Sequence, residues 1–108
     1  MLDKSELDEE LLREIAGIGG GYGEKIERCM GEMERIVRAV GYLRKRIERS
    51  RGTPKLSIRL SVRLRKRFWE LREEALRQRR FLIIYREALG LLKHREVFEI
   101  YNVERFTL

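Results

Sequence analysis

The run Gly17-Ile18-Gly19-Gly20-Gly21-Tyr22-Gly23-Glu24-Lys25 is where residue types and spacing first invite chemistry. Glycines ahead of a helix N-terminus expose backbone amides to an anion and can cradle phosphate. The surroundings argue otherwise: a helical pattern rather than a strand precedes the run, and Glu24 stands where a phosphate loop has Gly-Lys-Ser/Thr. Five glycines in the seven residues 17–23 are instead read as a hinge, because each lowers helix stability through backbone entropy.

The other reactive residue types are isolated. His94 is the sole histidine, and neither carboxylates nor Cys29 stand at metal-ligand spacing from it. No Glu-x-x-His pair marks a carboxylate-bridged di-iron bundle. Serines 5, 50, 57 and 61 lack the strand-turn-helix setting of an activated nucleophile. We therefore expect a non-enzymatic protein with no cofactor, no metal and no small-molecule substrate. Cys29 falls on an apolar helical line and reads as a core thiol in a reducing, cytoplasmic setting.

Arginine is the residue type in excess, 19 against 6 lysines, and its planar fork suits phosphate and carboxylate. The charge is unevenly placed. Residues 1–27 hold 3 basic and 8 acidic side chains, a net −5. Between Arg44 and Arg67 stand Arg44, Lys45, Arg46, Arg49, Arg51, Lys55, Arg59, Arg63, Arg65, Lys66 and Arg67 against Glu48 alone, a net +10. Such a cluster is the electrostatic footprint expected for nucleic acid, an anionic membrane surface or an acidic protein. No zinc-finger spacing, basic-region zipper or aromatic ribonucleoprotein motif accompanies it.

The elements that carry these residues follow from periodicity. A chain of 108 residues with one proline and abundant Leu, Ile, Arg and Glu favours an all-α domain. Ser5 caps an amphipathic helix over 5–16, followed by the hinge at 17–23. A second helix over 24–50 buries Cys29, Met33, Ile36, Val40, Leu43 and Ile47, with Ile26, Met30 and Val37 widening the stripe. Gly52, Thr53 and Pro54 supply a helix stop, an N-cap and a first helical residue, so a long antiparallel helical hairpin is expected. The third helix spans 54–92, a short one 94–101, and 103–108 form an apolar tail. Leu56, Ile58, Leu60, Val62 and Leu64 alternate as a half-buried strand would, but no second strand exists to pair with them.

The third helix has two apolar lines. Leu60, Leu64, Phe68, Leu71, Ala75, Leu82, Tyr85 and Leu89 form one, and Val62, Trp69, Leu76 and Ile83 lie roughly opposite. A helix apolar on two sides needs two partners. The second helix supplies one, and the second line is expected to be a homodimer interface that completes a helical bundle, unless the N-terminal helix covers it. The acidic N-terminus carries no secretory signal pattern, and the longest apolar run, Phe81 to Tyr85, is far short of a membrane span. The function this implies is that of a helical assembly or adaptor protein, with nucleic-acid binding through the basic cluster as the alternative.

Overall fold

The computed structural model describes the backbone of residues 4–108 and the side chains of residues 21–108. It is all helical: α1 spans Lys4–Glu48, α2 Lys55–Ala88, α3 Arg95–Ile100, and a 3-10 turn Val103–Arg105. No strand occurs among the described residues, and the alternating segment from Leu56 to Leu64 lies within α2. The 45 residues of α1 and 34 of α2 correspond to about 68 Å and 51 Å of helix, in a rod measuring 76 × 23 × 15 Å.

The two long helices pack against each other. Arg67 of α2 pairs with Glu32 of α1 at 2.9 Å, partway along the two helices from the connection at 49–54. Farther away, the Tyr22 ring lies 6.1 Å from Phe81 and 6.2 Å from Tyr85, so the chain doubles back on itself. Ile26, Met30, Met33, Ile36 and Val40 of α1 meet Phe68, Leu71, Ala75 and Leu82 of α2 in one core, which Val97 and Val103 join from the C-terminal segment. Cys29 is only half-buried at its edge.

Several expected boundaries are corrected. The glycine run does not break the chain: α1 is one helix from Lys4 to Glu48, so the separate 5–16 helix and the 17–23 hinge are replaced by continuous helix. Each glycine costs about 1 kcal/mol relative to alanine, but a helix already nucleated on a packed face gains a hydrogen bond with each added residue. At Gly23 there is a packing reason as well, since a Cβ there would collide with the Tyr101 hydroxyl. Thr53 does not cap α2: Pro54 occupies that position, its carbonyl accepts from the Ile58 amide at 3.0 Å, and no side chain caps the end.

The far end of α2 lies at Ala88 rather than residue 92. Gly90 adopts φ +84°, the Gly90 amide donates to Glu87 O, and the Leu91 amide donates to Arg86 O. This is a Schellman stop, which glycine enters without a Cβ penalty. The chain then turns back through α3. The tail at 103–108 packs: Val103 is fully buried, and Phe106 and Leu108 are half-buried against the core.

Candidate functional site

The second apolar line of α2 is divided in two. Leu76 and Ile83 are half-buried and pack against the chain's own core. Between them in sequence, Arg79 is buried and anchors the C-terminal segment: its Nη1 donates to Tyr101 O at 3.0 Å and to Glu104 Oε2 at 2.7 Å, its Nη2 pairs with Glu104 Oε1, and its guanidinium lies 4.7 Å from the Phe98 ring centre. At 100° per residue, Arg79 sits within about 60° of both Leu76 and Ile83. The tail therefore docks on the side of α2 where these two residues lie. Arg79 holds the Glu104 carboxyl down at about 2, chiefly through these hydrogen bonds.

The other half of the line is uncovered. Val62 is 61% exposed and Trp69 54% exposed. The Trp69 ring meets Phe68 edge-on at 5.3 Å and carries the Arg72 guanidinium at 5.7 Å, so one edge is anchored while much of the ring faces outward. Ile58 is 41% exposed and falls on the same side by helical phase. Toward the turn, the inward line of α2 passes from Phe68 and Leu64 to Ser61 and Ser57, both partly buried. Leu60, expected in the core, is instead 47% exposed, and by helical phase Ser57 and Ser61 rather than Leu60 continue the line of Leu64 and Phe68.

The basic cluster gathers at the same end. Arg67 pairs with Glu32 and more loosely with Glu70 at 3.9 Å, and Arg65 Nε donates to Ser61 Oγ at 3.4 Å. Arg44, Lys45, Arg46, Arg49, Arg51, Lys55, Arg59, Arg63 and Lys66 are all exposed and have no ion pair among the described residues. A groove of about 750 Å³ runs between the end of α1 and the start of α2, lined by Tyr42, Lys45, Arg46, Arg49, Lys55 and Leu56. Leu56 on its rim is 80% exposed, an arrangement that alternating hydropathy in the sequence could have flagged as an outward-facing line.

The remaining singled-out residues play local parts. His94 Nε2 lies 3.1 Å from Glu87 Oε1, tying the turn after α2 to its last helical residues. Burial pushes the Cys29 thiol up, with Glu74 and Glu32 adding to the effect, so the thiolate is disfavoured. No cluster of potential metal ligands occurs among the described residues, and no helix among them is long and apolar enough to cross a membrane. Compared with known proteins, the chain matches no family model, no curated protein and no solved structure.

Proposed function

We propose that this protein is a non-enzymatic helical assembly or adaptor module, a helical hairpin that self-associates through the second apolar line of α2. The carrying observation is the outward-facing Trp69 beside Val62, on a line whose other half, Leu76 and Ile83, is already packed. A large aromatic face left in water is costly, and aromatic side chains are the usual anchors of protein interfaces. A second copy laid against Val62 and Trp69 would convert two packed helices into a four-helix bundle.

Sedimentation analysis over a concentration series tests this reading. The unmodified chain is expected as a dimer at micromolar concentration, and Val62→Glu with Trp69→Glu as a monomer that keeps its far-ultraviolet helix signal. A monomer for the unmodified chain at tens of micromolar would overturn it.

A further inference from the structure

We infer that the turn end of the rod is a docking surface for anionic lipid bilayers, entered by Tyr42, Leu56 and Leu60 on the side opposite Trp69. This surface is independent of self-association. Leu56 and Leu60 are one helical turn apart and point to the same side of α2, about 140° and 180° from Trp69 at 100° per residue. Tyr42 and Leu56 line the same groove, so α1 and α2 present one shared face there. On that face Leu56 is 80%, Tyr42 63% and Leu60 47% exposed. Lys45, Arg46 and Arg49 surround them without an ion pair among the described residues.

Charge alone does not choose the partner, but the aliphatic side chains do. A duplex phosphate backbone would take the cations and leave Leu56 and Leu60 in water, since groove-edge phosphates offer nothing apolar. The interface of an anionic bilayer takes both at once: acyl chains receive the leucines, headgroups attract the cations, and tyrosine sits at the boundary with its hydroxyl hydrated. The long stems of arginine and lysine let the charged heads reach phosphate while the leucines go deeper. Such a surface demands no matched shape, which suits cations spread over both helices around the turn.

The test is sedimentation of the full chain with vesicles of phosphatidylcholine, with and without phosphatidylserine. Binding is expected only to the anionic vesicles, falling steeply as salt is raised. Leu56→Ser with Leu60→Ser leaves the charge unchanged and is expected to lower partitioning by at least about tenfold, a lower bound because the two leucines would leave water only in part. Retention of mixed-sequence duplex DNA by the same variant should be unchanged, and its helix signal retained. Trp69 emission should not shift on vesicle addition, because that ring faces the other way. Failure of the unmodified chain to bind anionic vesicles at low salt would overturn the proposal. So would undiminished vesicle binding by the leucine variant, which would leave a purely electrostatic cluster open to nucleic acid. A blue shift of Trp69 on the vesicles would overturn the assignment of the face.

Discussion

The two ends of α2 treat the same kinds of residue in opposite ways. At its C-terminal end the second apolar line is covered and its buried cation paired: Arg79 is buried against Glu104, and Leu76 and Ile83 pack on the core, although Ile84 and Leu92 beyond that line stay exposed. At its N-terminal end Arg59, Arg63 and Lys66 have no ion pair among the described residues, and Leu56, Val62 and Trp69 face outward. The difference comes from what lies alongside. One end is overlaid by the chain's own returning tail, whereas along the other the inward line of α2 runs through the partly buried Ser57 and Ser61. Coverage by local chain packs one line at the first end, and its lack leaves the cations and Leu56, Val62 and Trp69 of the other end facing outward.

Breaking the covered end should have the largest effect. Glu104→Ala leaves the buried guanidinium with the Tyr101 carbonyl and the Phe98 ring but no counter-charge, and is expected to cost about 2 kcal/mol, below the range for fully buried pairs because Glu104 is half in water. The same pair sets a pH dependence. The Glu104 carboxyl sits at about 2 when folded against an ordinary 4.5, so its contribution is complete above pH 4.5 and is lost as pH falls toward 2. The difference in denaturation midpoint between the unmodified chain and Glu104→Ala should therefore shrink across that window. A constant difference would show that the carboxylate does not anchor the tail.

A pair of glycines sharpens the contrast at intermediate size. Gly41 has nothing near its Cβ position, so Gly41→Ala is expected to stabilise the protein by about 1 kcal/mol through helix propensity. Gly23→Ala offers the same propensity gain but drives a methyl into the Tyr101 ring, whose Cζ would lie 3.2 Å away, and it is expected to lower stability. Opposite signs in parallel denaturation curves are the result that supports tail docking over Gly23. The smallest effect belongs to the uncovered end. Arg59→Glu with Arg63→Glu should change stability by less than about 0.5 kcal/mol, since neither side chain has a partner to lose among the described residues. A larger loss would mean these cations serve the fold.

Much of the core was legible. The spacing of Met33, Ile36, Val40 and Leu43, and of Phe68, Leu71, Ala75 and Leu82, marks the faces that meet, because periodic burial leaves its period in the sequence. The end of α2 was also written there, in Gly90, but the apolar Leu91 and Leu92 carried the expected helix past it. The glycine run misled for the opposite reason: local entropy argues for a break, while the contact that gives Gly23 its use, Tyr101, is 78 positions away in the chain. The second apolar line was visible as a line. What covers its far half was not, because docking of Val97 and Val103 depends on the reversal after α2 rather than on any local pattern.

The uneven charge along a rod 76 Å long has a further consequence. The first 27 residues carry −5 and the 24 around the turn +10, and α1 alone places about 50 Å of helix between Glu10 and Arg44. At physiological ionic strength the screening length is about 8 Å, so the two ends do not sense each other's charge. The molecule is thus an electrically polarised strut. Near any negatively charged plane it feels a torque before it feels a contact, and it arrives turn first, its acidic end held away into solution.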